Sequence, residues 1–211
     1  MKIVGVIGGI GVGKTHICNI IEEQGYVVHS FDEDAKHVMC NDLSIVEEMK
    51  KLFGDDIYEV KQESNISPIQ HILNRKKLAS IIFTDDEMRI RVEKLIKPVL
   101  FHNFYKKAYD YQYNHGKKYF FVESATIIKT GFFKMLDQII LIDADMNLRR
   151  EMVCKNRDIT AEDFNNRVKM QMPLDEVIRT LDLNSVRYTL FDNDYSEKAR
   201  KWVLDYISSN I

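Results

Sequence analysis

Five apolar residues, Ile3 to Ile7, run straight into Gly8-Gly9-Ile10-Gly11-Val12-Gly13-Lys14-Thr15, and a stretch with Ile17, Ile20 and Ile21 on one helical face follows. A short continuous apolar run before glycines reads as a strand buried on both faces, as in a parallel sheet. The octet fits G-x-x-x-x-G-K-[ST] at every fixed position. Its glycines permit a tight loop whose N–H groups converge, and the helix that follows adds its positive end; together they suit phosphate oxygens. By chance the pattern arises in on the order of one chain per hundred of this size, before the flanking strand and helix are required. Gly9, Ile10, Gly11, Val12, Gly13, Lys14 and Thr15 are therefore expected to hold ATP, with Lys14 on the β- and γ-phosphates. The Thr15 hydroxyl is expected to ligate Mg²⁺. His16, next in the helix, is a further candidate phosphate contact.

The rest of the chain alternates strands and helices. Val27–Phe31, Tyr119–Glu123, Gln138–Asp143 and Arg187–Phe191 read as further strands, and Gly25 as the stop of the first helix. Residues 32–53 read as helical in two pieces, and 54–68 as a loop, from Gly54, Asp55, Asp56, Asn65, Ser67 and Pro68. Asn74 suits the cap of a short helix through Phe83. A long helical region from Asp85 to about Asn114 is expected to bend or break near Pro98. Thr160 with Asp163 has the form of a capping box, and a last helix carries Trp202, Val203, Tyr206 and Ile207. The expected fold is α/β: a P-loop NTPase with a five-stranded parallel sheet flanked by helices, its ligand edge at the strands' C-terminal ends. Residues 1–211 read as a single domain, with a lid at about 146–172.

Composition narrows the function. The net charge is −2 over 211 residues, with 45% apolar residues. No global basic field points to nucleic acid, and no apolar run is long enough to span a membrane. Cys18, Cys40 and Cys154 are odd in number and widely spaced, which suits reduced thiols in the cytoplasm. The loop alone is shared by switches, motors and ATPases. With no N-K-x-D tetrapeptide, a small kinase is the better class.

Carboxylates and cations at expected strand ends supply the remaining candidates. Asp32, just past the second strand, either orients an acceptor hydroxyl or caps the next helix. Glu123 and Asp143 each end an apolar strand in the form that delivers a carboxylate near hydrated Mg²⁺; Glu123 is favoured. Arg149, Arg150, Lys155 and Arg157 cluster after the fourth strand, as a lid closing over ATP or as a solvated helix face. The six histidines show no metal spacing. The stripe Phe101, Phe104, Tyr105, Tyr109 and Tyr113 is expected to pack, with part of it free to line an acceptor pocket.

Taken in order, these segments resemble the dephospho-coenzyme A kinase family across nearly the whole chain. The likeness rests on Val4 through Thr15, on Ser30-Phe31-Asp32 with Ala35-Lys36, and on Leu78-Ala79-Ser80-Ile81-Ile82-Phe83 and Leu95-Ile96-Lys97-Pro98. It continues in Glu123-Ser124-Ala125 with Gly131-Phe132, in Lys155-Asn156-Arg157-Asp158-Ile159-Thr160 with Gln171, and in Phe191-Asp192-Asn193-Asp194.

That resemblance implies ATP-dependent phosphorylation of the ribose 3′-hydroxyl of dephospho-coenzyme A. It puts Asp32 at the catalytic carboxylate, Arg157 in a catalytic lid, Arg150 and Asn193 at the nucleotide, and residues from about 60 to 115 around the acceptor. The expected partner is that small molecule, with neither nucleic acid nor membrane, and the expected state a monomer or a weak oligomer. Four positions depart from the family's usual residues: Ser30 for Asp, Lys36 for Arg, Lys97 for His and Lys129 for Glu. The rival readings are another small-molecule or nucleoside kinase, and a nucleotide-binding module without chemistry.

Overall fold

The computed structural model describes residues 1–61, 70–82, 84–156 and 159–210. In chain order the elements begin with β1 (Lys2–Gly8), α1 (Lys14–Glu23), β2 (Val28–Ser30), α2 (Phe31–Asn41), α3 (Leu43–Phe53), β3 (Tyr58–Lys61) and β4 (Gln70–Leu73). Next come α4 (Arg75–Ile82), α5 (Asp86–His115), β5 (Tyr119–Glu123), α6 (Ile127–Thr130) and β6 (Gln138–Asp143). The chain closes with α7 (Met146–Asn156), α8 (Ala161–Lys169), α9 (Leu174–Leu183), β7 (Tyr188–Asp192) and α10 (Lys198–Asn210). Two compact units divide the chain: Met1–Ser30 with Asp110–Ile211, and Phe31–Tyr109.

The first unit holds a five-stranded sheet in the order β2-β5-β1-β6-β7, with every pair parallel. β1 is central: Val6 lies beside Glu123 of β5, and Gly8 beside Ile142 of β6. The five strands therefore end at one edge with Gly8, Ser30, Glu123, Asp143 and Asp192. β1, β5 and β6 are buried on both faces, which is why they read as unbroken apolar runs. Ile17, Ile20 and Ile21 of α1 complete one core with Val4, Val6 and Phe121. Each such aliphatic side chain contributes roughly 1.5–3 kcal/mol on burial. Gly25, at φ 77, takes the left-handed position that ends α1, its N–H donating to Glu22 O at 2.8 Å. At the sheet's edge, Trp202 of α10 lies 4.6 Å from Phe191 and stacks on Tyr206 at 5.4 Å, ring centre to ring centre.

In the second unit α2 carries three stripes. Phe31, Asp34 and Val38 are buried; Asp32, Lys36, Met39 and Cys40 are half-buried; Glu33 and His37 are exposed. Phe31 packs against Phe101 and Phe104 of α5, and the buried Asp34 accepts from Lys107 Nζ at 2.5 Å. Asp42 separates α2 from α3 by capping the amides of Ser44 and Ile45.

Several expectations change in detail. The second strand stops at Ser30, and Phe31 already opens α2, so Asp32 lies inside a helix's first turn, not at its cap position. The stretch expected as a loop contains β3, paired antiparallel with β4, and Tyr58 Oη ties that hairpin to α2 through Met39 O at 2.6 Å; residues 62–68 lie outside the described residues. α5 runs through Pro98 unbroken. The aromatic stripe divides: Phe104 is buried, whereas Tyr105, Tyr109 and Tyr113 are exposed. The Asn74 cap and the Thr160–Asp163 capping box are both present; Phe83 lies outside the described residues. Among the described residues, no helix is long and apolar enough to cross a membrane.

Candidate active site

The phosphate loop joins the C-terminal end of β1 to the N-terminus of α1, at the sheet edge where the other strands also end. α1 begins at the cap residue Gly13 without a side-chain cap bond, and the first amides of a helix carry its positive end. Lys14 Nζ lies over the loop, donating to Gly8 O at 2.8 Å and Gly9 O at 3.3 Å. Thr15 and His16 follow, both exposed.

Four later residues hold the loop's backbone. Asn193 Nδ2 donates to Val12 O at 2.9 Å, and Tyr195 Oη donates to Gly11 O. Arg149 Nε donates to Ile10 O at 2.9 Å, and Gln171 Oε1 accepts from Ile10 N–H at 2.8 Å. Three consecutive carbonyls are thus taken by protein donors. A peptide whose carbonyl is tied to the fold turns its N–H toward the opposite side, which is the requirement of an anion nest. Two of these contacts also explain glycines. Gly13 sits at φ 90, and a Cβ there would strike Asn193 Nδ2; a Cβ on Gly9 would lie 2.5 Å from an Arg149 terminal nitrogen.

Asn193, expected at the nucleotide, therefore supports the loop from within the fold: it is 1% exposed and bonded on three sides. Besides Val12, its N–H donates to Asp143 O at 2.8 Å, and its side-chain oxygen accepts from Tyr195 N–H at 3.0 Å. Tyr195 reaches this position with φ 58, a strained conformation for a tyrosine.

The adjacent arginines separate. Arg149 is buried at 8% exposure against the loop, with a terminal nitrogen 3.6 Å from Asp143 Oδ1. Arg150 is exposed, donating to Asn147 Oδ1 at 3.1 Å. Ile10 itself packs with Val153 of α7 and Phe164 of α8, so these helices share a small core with the loop. Lys129 Nζ donates to Met170 O at 2.6 Å, beside the Gln171 that holds the loop. Arg157 lies outside the described residues.

The two candidate metal carboxylates differ in their company. Asp143 faces the Arg149 guanidinium. Glu123, whose register partner on β2 is Ser30, accepts from that serine's hydroxyl at 2.6 Å. Glu123 also lies within electrostatic reach of α1: the Cys18 thiol is pushed up to about 12 by burial first, then by the Glu123 charge, with Lys14 opposing.

Tyr195 is the site residue that the sequence did not single out, and Arg149 was named only within the basic cluster after the fourth strand, not as a support of the loop. The signal for Arg149 was its place four residues before Val153, on the helix face that turns inward. Nothing marked Tyr195.

A parallel sheet of this order, a glycine loop between its central strand and first helix, and backbone carbonyls turned away from that loop's mouth define a P-loop kinase fold. A solved structure from Thermus thermophilus aligns over 100% of this chain and 97% of its own, with a TM-score of 0.79 at 20% identity. A dephospho-CoA kinase from Campylobacter jejuni aligns over 99% and 96%, with a TM-score of 0.65 at 19% identity.

Sequence likeness carries the assignment further. The family model for dephospho-CoA kinase matches residues 2–186, and the chain belongs to that family. Among its relatives is the dephospho-CoA kinase of Aquifex aeolicus, 30% identical over 86% of each chain. Another is that of Chlorobium luteolum, 28% identical over 85% of this chain and 80% of the relative.

Proposed function

We propose that this chain transfers the γ-phosphoryl group of ATP to the ribose 3′-hydroxyl of dephospho-CoA, giving CoA and ADP, the last step of CoA synthesis. The observation that carries the reading is the phosphate loop with Ile10 O, Gly11 O and Val12 O tied to Arg149, Tyr195 and Asn193. Its amides, the N-terminal end of α1 and the Lys14 ammonium would bind the β- and γ-phosphates.

The O3′–Pγ bond forms as the bond from Pγ to the β-γ bridging oxygen breaks. Asp32, in the first turn of α2, would take or orient the hydroxyl proton. Because the transition state is loose, positioning and charge neutralisation supply most of the rate. Arg149 supports the loop, and Arg150 and Arg157 are assigned to the phosphates from the lid side.

Mg²⁺ in kinase sites is held by one or two protein oxygens plus substrate phosphates and water. Glu123, which accepts from the neutral Ser30 hydroxyl, and the exposed Thr15 hydroxyl fit that sparse set. Among the described residues, no group of three or more His, Cys, Asp and Glu forms a dedicated metal cage. When bound, the ion would neutralise charge on the β- and γ-oxygens.

Cys18, Cys40 and Cys154 are free thiols, in keeping with a reducing cytoplasmic setting. We take the monomer as the working unit, to be checked by sedimentation.

A coupled assay of ADP release with dephospho-CoA, shikimate and nucleosides tests the reading. Turnover is expected with dephospho-CoA alone and is expected to vanish in Lys14→Ala. Asp32→Asn should lower kcat far more than ATP affinity, and an unchanged kcat would remove Asp32 from the mechanism.

A further inference from the structure

The second unit contains an apolar pocket of about 150 Å³ between α2, β4 and α4. It is lined by Met39, Cys40, Leu73, Leu78, Ala79 and Ile82, with the cations of Lys36 and Arg75 also on its wall. On α2 this wall continues a stripe that begins at Asp32. Asp32, Lys36 and Met39/Cys40 stand at i, i+4 and i+7/i+8, hence on one face, and all are half-buried. At 1.5 Å per residue, Lys36 lies about 6 Å and Cys40 about 12 Å beyond Asp32 along the axis.

This order of carboxylate, cations and apolar hollow repeats the order of groups along dephospho-CoA. From the reacting hydroxyl the acceptor runs through its ribose to a 5′-diphosphate, and then to a carbon bearing two methyl groups, the first bulky apolar part of its arm. We infer that the pocket receives this dimethyl carbon, with Lys36 and Arg75 on the diphosphate. The inference rests on the proposed meeting of Asp32 with the ribose 3′-hydroxyl.

The chemistry of the wall supports each part. Lys36, on the pocket wall, is ion-paired with Glu33, its i−3 neighbour on the exposed stripe. A diphosphate offers more charge than one carboxylate and draws in Arg75 as well. Beyond those two cations the lining among the described residues is apolar, which favours a branched hydrocarbon over a sugar at the same place. Ala79 has the smallest side chain of the lining, and a larger residue there would take the ligand's space.

Ala79→Phe is the test, read against ADP-glucose, which shares the adenosine diphosphate but carries a sugar in place of the dimethyl carbon. For the variant, KM for dephospho-CoA should rise by at least about tenfold, with kcat and the KM for ATP within about twofold. The inhibition constant of ADP-glucose against dephospho-CoA should stay within about twofold. In the unmodified protein, dephospho-CoA should slow alkylation of Cys40 by iodoacetamide, and ADP-glucose at equal occupancy should not. An unchanged KM in a folded variant would overturn the pocket assignment while leaving the reaction intact. Should the variant fail to fold, Cys40 alkylation decides, and equal rates with and without dephospho-CoA overturn the inference. If Asp32→Asn leaves kcat unchanged while Ala79→Phe raises KM, the carboxylate's role falls and the pocket stands.

Discussion

Asn193 and Val12 are 181 positions apart in sequence and meet through one hydrogen bond of 2.9 Å from a side-chain amide to a carbonyl of the phosphate loop. Both partners are buried, so the loss of either leaves a polar group without its partner. Asn193→Ala should cost about 1–3 kcal/mol of stability. Thermal melting should show the loss, and the KM for ATP should rise as Val12 loses its anchor. A variant with unchanged melting and unchanged KM would mean that the loop holds its shape unaided.

Gly13→Ala attacks the same contact from the other side. An alanine at φ 90 is strained by roughly 1–2 kcal/mol, and its methyl group would collide with Asn193. Titration calorimetry with Mg-ATP should show binding lost or weakened at least about tenfold, since 1.4 kcal/mol is a factor of ten in affinity. Full affinity in this variant would contradict the described loop.

Arg149 and Arg150 make a controlled pair, adjacent in sequence and opposite in setting. Arg149→Met removes the donor to Ile10 O and the cation facing Asp143, and should lower kcat/KM for ATP by roughly 10². Arg150→Met removes an exposed side chain bonded to Asn147 and, as a flexible outer contact, should cost about tenfold or less. Steady-state kinetics on the two variants would settle it, and the reverse ranking would reject the assignment.

Ser30→Asp would place a second carboxylate beside Glu123, where the hydroxyl now donates at 2.6 Å. Like charges at that spacing raise the affinity of one carboxyl for a proton in the folded state. A folded-state pKa above the unfolded one gives stability that is present at low pH and lost as pH rises. The variant should therefore melt progressively lower, relative to the parent, as pH rises above about 4, and Mg²⁺ should restore part of the difference. Parallel pH profiles for the two proteins would place Ser30 away from Glu123.

Cys18 has its thiol pushed up to about 12 by burial and by Glu123. Little thiolate then exists near neutral pH, and thiolate is the reactive form. Iodoacetamide at pH about 8 should leave Cys18 unlabelled in the folded protein and modify it only after denaturation. Peptide mass spectrometry reads this directly, and rapid native labelling would contradict its burial.

The central strands were legible because burial on both faces removes polar alternation: Ile3–Ile7 and Ile139–Ile142 are apolar without interruption. The phosphate loop was legible because its glycines and lysine are each demanded by geometry. The hairpin of Tyr58–Lys61 with Gln70–Leu73 was not, since only Tyr58 and Leu73 are buried in it and the glycine and aspartates before it signal a turn. Choosing between Arg149 and Arg150 required the helix phase. Asp145 sets that start by capping the amides of Asn147 and Leu148, a local choice that the charge cluster obscured. The contacts of Asn193, Tyr195 and Gln171 with the loop span more than 160 positions, and no local pattern encodes such distances.

Trp202 is the sole tryptophan of the chain, and it stacks on Tyr206 and meets Phe191 at a tilt. Phe191 is only two residues from Asn193, so the indole borders the turn that secures the loop. Its intrinsic fluorescence is therefore a label-free optical gauge: a change in quantum yield on adding nucleotide would time the settling of that turn, by stopped flow, before any phosphoryl group has moved.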